Sequence, residues 1–262
     1  MHLHGTPGPP ARVSLFTPGR TAMPMPVGKT PVNELKDGLK ILTFDLYGTV
    51  VDMQQGLVEM VTPYLREKGW QGKPNSFVTW WRRTHFENSM IDALLDRGHT
   101  PYREIGRRAV TLTLERAGIP HTQDEVHRLV AAIEKLRPFD DALDALARLS
   151  KRYRLALLSN GDPDMLENAK PFIGYKFDAY ISIAACGYFK PHFATYRKAA
   201  AMLGAEIGTI MHVANHAFDC IGAQAQGMRG GFINRRQRPY EDTPYQPDLV
   251  VGTLKELADV MA

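Results

Sequence analysis

Apolar positions along this chain change their spacing twice. The first run, Ile41, Leu42 and Phe44, is short and continuous, and it stops at Asp45 with Gly48 close behind. A short apolar run closed by a turn residue predicts a fully buried strand, with Asp45 at its carboxyl end. Open α/β sheets bind ligands at that end of their strands. An aspartate there also closes ordinary βα turns, so Asp45 by itself carries either reading.

From residue 57 to residue 137 the spacing becomes helical. Val126, Leu129, Val130, Ile133 and Leu136 form a one-sided stripe, and Val110, Leu112 and Leu114 predict another helix stopped by Gly118 and Pro120. These residues predict a helical module inserted after the first strand, with its aromatic and Met residues mostly in its core.

From Pro138 onward, helical and strand patterns alternate. Helices are predicted over 141–149, 164–169, 193–203, 217–227 and 254–261, and strands over 155–158, 179–184, 210–214 and 231–233. Such alternation predicts an α/β fold with a mostly parallel sheet covered on both faces. Residues 1–37, rich in Pro, Gly and Thr and without periodicity, predict a disordered tail. That stretch lacks the apolar core of a secretory signal, and Met23 and Met25 leave a later start open.

Composition adds little to this but excludes some functions. The formal net charge of +4 comes from 32 Lys and Arg against 28 Asp and Glu, without long runs of one sign, so nucleic acid is not implied. The mild excess suits a small anionic substrate. No apolar run reaches the ~20 residues of a membrane span. Two cysteines far apart, Cys186 and Cys220, read as buried free thiols in a reducing, cytoplasmic compartment.

Four predicted strands end in chemically useful residues: Asp45 with Thr49, Ser159 with Asn160, Lys190 beyond the third, and Asn215 to Asp219 after the fourth. Singly, each also fits a helix cap, a solvated loop or a dipole partner. Together they describe one site drawing on several loops of a parallel sheet.

The order Asp-x-Tyr-Gly-Thr, Ser-Asn-Gly, Lys-Pro, then strand and Asp resembles the haloacid dehalogenase superfamily, and more closely its L-2-haloacid dehalogenase branch. The resemblance covers about residues 39–262. It implies a Rossmann-like doubly wound core over 38–56 and 138–262, with a helical cap over 57–137. It further implies that Asp45 is the nucleophile, with Thr49, Ser159, Lys190 and Asp219 completing the catalytic set. Substrate or halide contacts would come from Leu46, Tyr47, Arg82, Asn160, Tyr196, Asn215 and His216. Arg82 and Arg83, next to Trp80 and Trp81, also read as surface residues of a helix whose tryptophan faces the core. Lys190 would hold Asp45 ionised by charge pairing. No metal and no other cofactor is implied, and a homodimer is the assembly to test.

Tyr47 discriminates between reactions. Phosphatases of the superfamily carry a second Asp at that place to protonate the leaving alcohol; a tyrosine, with a pKa near 10, replaces it poorly. A halide requires no such proton. Phosphatases also usually pair carboxylates in the fourth motif to hold Mg²⁺, where this chain offers Asn215 and only Asp219. Two positions depart from the dehalogenase pattern: Ala214 replaces a serine, and His216 replaces an asparagine. The leading expectation is metal-independent hydrolytic dehalogenation of a short (S)-2-haloacid through an aspartyl ester. The rivals are ring opening of an azetidine-carboxylate type of substrate, a phosphatase, and a binding protein that kept the fold without turnover.

Overall fold

The computed structural model describes residues 30–96 and 98–262. Helix α1 (Val32–Gly38) leads into strand β1 (Ile41–Phe44). Four helices follow before the next strand: α2 (Met53–Glu67), α3 (Pro74–Leu95), α4 (Tyr102–Arg116) and α5 (Gln123–Ala131). The remainder alternates: α6 (Ala142–Leu149), β2 (Arg154–Ser159), α7 (Pro163–Ile173), β3 (Ala179–Ser182), α8 (Phe193–Leu203), β4 (Ile210–Ala214), α9 (Ala217–Gln224), β5 (Arg229–Ile233), β6 (Leu249–Val251) and α10 (Leu254–Met261).

The six strands form one parallel sheet in the order β3-β2-β1-β4-β5-β6. All four residues of β1 are buried, the pattern of a parallel strand covered on both faces. Helix α9 packs on β4 and β5 beside α8, while α10 joins α1 and α6. Chain order departs from β1 in both directions, so the crevice between β1 and β4 is the switch point of the sheet. The Asp45 N–H donates to the Val213 carbonyl at 3.0 Å, which carries the β1–β4 pairing to the edge of that crevice.

Helices α2 to α5 pack mainly on one another, with α3 against both α2 and α4. Two polar ties join this module to the sheet. Asp162, after β2, accepts the Tyr102 and Arg103 N–H groups at 2.8 and 3.0 Å, satisfying free donors at the start of α4. Arg103 in turn bridges Glu134 (2.7 Å) and Asp164 (2.8 Å).

Several boundaries differ from expectation for local reasons. The predicted tail over 1–37 lies outside the described residues up to 29. Its last part is corrected, because Val32–Gly38 is helical and buries Leu35. The strand predicted over 179–184 stops at Ser182, whose Oγ accepts the Ala184 N–H at 3.2 Å and turns the chain. The helix stripe that ends at Leu136 keeps all five apolar residues buried, but past Ala131 it tightens into a 3₁₀ turn. Strand β6 was not anticipated, since three residues give too short a pattern to register.

Candidate active site

The site is built on the β1 turn. The Leu46 carbonyl accepts the N–H groups of Thr49, Val50 and Val51 at 3.3, 3.1 and 3.0 Å, folding the chain back so that Thr49 faces Asp45. Thr49 Oγ1 donates to Asp45 Oδ2 (2.8 Å) and accepts the Asn215 N–H (2.9 Å), which ties the β1 loop to the β4 loop. Gly48 closes the turn at φ +94°, where a side chain is strained. A Cβ there would also sit 3.1 Å from the His216 ring and 3.3 Å from an Arg82 guanidinium nitrogen. Gly48→Ala is therefore expected to lower kcat/KM more than tenfold and to cost about 1–3 kcal/mol of stability. Steady-state kinetics with urea melts check this, and a variant with ordinary activity would disprove it.

Lys190 is the second element. Its ammonium, 1% exposed, donates to Asp45 Oδ1 (2.8 Å), Asp219 Oδ2 (2.6 Å) and the Leu158 carbonyl (3.0 Å). Three donors thus meet three acceptors. Burial opposes charge on all three side chains, but mutual attraction outweighs it. Asp45 is lowered, mainly by Lys190 and then His216, and Lys190 is raised by Asp219 and Asp45. Asp219 is held far below the usual carboxylate range against burial, by His212 and Lys190.

Asp219 has no oxygen free for other work. Its Oδ1 accepts from the Tyr196 hydroxyl at 2.6 Å. His212 Nε2 lies 3.0 Å from Oδ2 but off hydrogen-bond alignment, while its Nδ1 meets Thr43 Oγ1 at 2.9 Å. Tyr196 reaches Asp219 across Gly222, where a Cβ would stand 2.7 Å from the phenol oxygen.

In front of Asp45 lies a cavity of about 390 Å³. Of the expected site residues, Asp45, Tyr47, Arg82, Asn160, Lys190 and His216 line it. Thr49, Tyr196 and Asp219 stand behind this wall and hold it. Ser159 Oγ accepts the Gly161 N–H (3.1 Å), shaping the β2 loop and making no hydrogen bond to Asp45. The Asn160 side chain accepts the Lys190 N–H at 3.0 Å, joining the β2 and β3 loops. Asn215 borders a smaller adjoining cavity that shares Arg82. Leu46 is fully buried and offers only backbone: no acceptor among the described residues takes the N–H of Leu46 or Tyr47.

Tyr47 stacks on Tyr102, ring centroids 5.5 Å apart and planes 1° off parallel. Burial first, and then Tyr102, push its phenol well above the usual range, so its proton stays in place; its oxygen has no hydrogen-bond partner. Trp81 takes the core position of α3 at 1% exposure while Trp80 is 53% exposed, a rotation that turns Arg82 into the cavity. There Arg82 Nη1 donates to Gln54 Oε1 at 2.8 Å. His216 Nδ1 is 3.7 Å from Asp45 Oδ2.

Other lining residues carry weaker signals in the sequence. Gln54, His85, Tyr102 and Phe218 reach the cavity only through the packing of α2, α3, α4 and α9. Arg236 and Arg238, by contrast, follow a predicted strand in the run Asn234-Arg235-Arg236-Gln237-Arg238, and the strand-end rule applied to that strand finds them. His85 is buried, neither ring nitrogen has a partner, and burial drives its pKa down to about 3. No group of three metal-ligating side chains occurs among the described residues.

A family model for haloacid dehalogenase-like hydrolases matches residues 39–227. The (S)-2-haloacid dehalogenase of Xanthobacter autotrophicus is 31% identical over 221 residues, spanning 84% of this chain and 83% of that protein. Haloacetate dehalogenase H-2 of Moraxella sp. (strain B) is 26% identical over 227 residues, spanning 86% and 98%. Among solved structures, the L-2-haloacid dehalogenase of X. autotrophicus with chloropropionic acid covalently bound is similar at a TM-score of 0.77 and 26% identity, covering 85% of this chain and 98% of that one.

Proposed function

The chain belongs to the haloacid dehalogenase-like hydrolases, and from that premise we propose that it hydrolyses a short (S)-2-haloacid to the 2-hydroxy acid through an ester on Asp45. The observation that carries this reading is the pairing of an ionised Asp45, bonded to Lys190 and Thr49, with a cavity in which no second carboxylate among the described residues faces it. An ionised carboxylate is a competent nucleophile toward an sp³ carbon bearing halide.

In the first step an Asp45 oxygen attacks the halogen-bearing carbon from the face opposite the halide, inverting it. The C–O bond forms as the C–halogen bond breaks, and the halide leaves with the electron pair. Arg82 and Asn160 supply its cation and amide, and the N–H groups of Leu46 and Tyr47 are the donors for the substrate carboxylate. In the second step water adds to the ester carbonyl carbon, releasing the hydroxy acid and a proton and restoring Asp45. His216 is the base placed to take that proton, being the imidazole beside Asp45. Asp219, with both oxygens engaged, positions Lys190.

A phosphatase fits less well. The Lys190 ammonium fills the space between Asp45 and Asp219 where a cation would bridge them, and Tyr47 keeps its proton. A second hydrolytic reading is favoured by His216: opening of a strained heterocyclic carboxylate has a leaving group that needs a proton, and an imidazole 3.7 Å from the nucleophile can supply one. The two cysteines are free, Cys220 buried, which supports a reducing, cytoplasmic compartment. No helix among the described residues is long and apolar enough to cross a membrane.

The test is a panel of 2-chloropropionate, azetidine-2-carboxylate and an aryl phosphate, followed for chloride, ring-opened product and phosphate, with and without EDTA. Chloride release from the (S) acid, insensitive to EDTA, is expected. His216→Asn, which restores the dehalogenase asparagine, should keep the first-turnover burst of chloride, slow the later turnovers in which the ester is hydrolysed, and abolish ring opening altogether if the second reading holds. Because Asp45 is held low and Lys190 high, kcat/KM for chloride release should keep Asp45 ionised down to below about pH 4 and Lys190 charged to above about pH 10. An acid limb of the Asp45 carboxylate above pH 5 would contradict this arrangement.

A further inference from the structure

The site as described uses one cation, Arg82, for a substrate with one carboxylate and one leaving halide, yet three other guanidiniums share its cavity. Arg83, Arg236 and Arg238 also line it. Arg83 is paired with Glu87 at 2.7 Å, and Arg235, in the same loop, is paired with Asp141 at 3.0 Å outside the cavity. Arg236 and Arg238 have no carboxylate within ion-pair distance among the described residues.

The loop that carries them is built rather than loose. The Asn234 side chain donates to the Arg238 carbonyl (2.8 Å) and accepts the Arg238 N–H (2.9 Å), clasping the loop at both ends. Gln237 takes a left-handed turn at φ +48°, and its N–H donates to the Asn234 carbonyl at 3.1 Å. The Arg235 guanidinium stacks 3.8 Å from the Phe139 ring centroid and pins the loop to the core. Both cations at its tip are thereby directed to the mouth of the cavity.

Arg236 and Arg238 stand exposed at the rim while Arg82 is half-buried beside them, and after burial Arg236 is the neighbour whose like charge acts most against that of Arg82. An anion between them removes that cost. The cavity also exceeds the need of a three-carbon acid: about 390 Å³ is room for roughly a dozen waters.

We propose that Arg236 and Arg238 bind a second carboxylate, so that the substrate is a short 2-substituted dicarboxylate, of the 2-halosuccinate class, rather than a monocarboxylate. The inference deepens the dehalogenation reading and rests on it for the reaction, but the recognition of a dianion is a property of binding and is tested separately.

Unreactive probes on the intact protein give that test. Calorimetric titration at low salt should find succinate binding at least about tenfold tighter than monomethyl succinate, which has nearly the same shape and one charge fewer, and than propionate. The double substitution R236A/R238A should collapse the succinate preference to within about twofold, and R236K/R238K should recover part of it. In kinetics, kcat/KM for 2-chlorosuccinate should exceed that for 2-chloropropionate by tenfold or more, with the advantage in KM and lost in R236A/R238A. Equal affinity for succinate and its monoester, or a preference that survives R236A/R238A, overturns the proposal. Chloride release from neither chloroacid would overturn the dehalogenation reading alone, and a succinate preference dependent on both arginines would still uphold the dianion site.

Discussion

Replacing Asp45 with asparagine is expected to reduce turnover by a factor on the order of 10⁴ or more while leaving the protein folded. The amide keeps the shape of the carboxylate: its one oxygen can still accept from Lys190, while its NH2 takes the place of the oxygen that accepted from Thr49, whose hydroxyl can turn to accept instead; in the native protein both contacts are 2.8 Å. What the amide lacks is the negative charge that the proposed attack on carbon requires. Lys190 retains Asp219 as a counter-ion at 2.6 Å, so the buried ammonium is not left alone. The covalent step has a more direct readout. In a single turnover with enzyme in excess in ¹⁸O-labelled water, the hydroxy acid should carry unlabelled oxygen taken from Asp45, and the label should appear in the Asp45 peptide. Label in the first product would mean that water attacks the substrate directly.

The second large effect concerns Lys190. In Lys190→Met, the Asp45 and Asp219 carboxylates remain buried without the cation that links them, and removing one partner of such a group costs about 3–5 kcal/mol. The pH dependence should distinguish this from a packing defect. In the native protein both carboxylates are held below their unfolded values, so their contribution is present above about pH 4 and is lost as pH falls through the folded values. Lys190 is raised, so its contribution is present below about pH 10 and is lost as pH rises through its folded value. Without the lysine, burial raises the two acids, and the folded state then binds protons that the unfolded state releases near pH 4. The deficit should therefore be greatest at pH 7 to 8 and shrink toward pH 4. Urea melts of both proteins at pH 4.5 and 7.5 give the comparison; a deficit that does not change with pH would point to lost packing instead. Turnover should fall as well, since Asp45 no longer stays ionised.

Most of the sheet was legible because buried parallel strands leave compact apolar runs with polar residues at their ends. Phe44-Asp45, Leu158-Ser159 and Val213 to Asn215 each mark where a strand delivers chemistry to the same edge. The helical stripes were legible for the same reason, since one-sided burial imposes a period. What fades is whatever depends on a few residues or on hydrogen bonds that pattern does not encode. The end of β3 depends on one Ser182 hydroxyl, and β6 is three residues long. The start of α1 depends on Leu35 finding the core from a Pro-rich stretch.

For the site, the sequence by itself determined which functional groups exist and which edge of the sheet receives them: Asp45, Lys190, Asp219, and Tyr47 where a second acid would stand. These follow from local order, because a residue after a strand is placed by that strand. The tertiary structure decided how they divide the work. It put Thr49, Tyr196 and Asp219 behind the wall and Asp45, Arg82 and His216 in it. It also turned Ser159 into its own loop, and it set Arg236 and Arg238, which the end of a predicted strand already brings to that edge, at the mouth of the same cavity as Asp45. Distances across separate loops depend on how β1, β4 and β5 stack side by side and how α3 leans over them. No spacing along the chain encodes that, since contact energy is realised only once the core has closed.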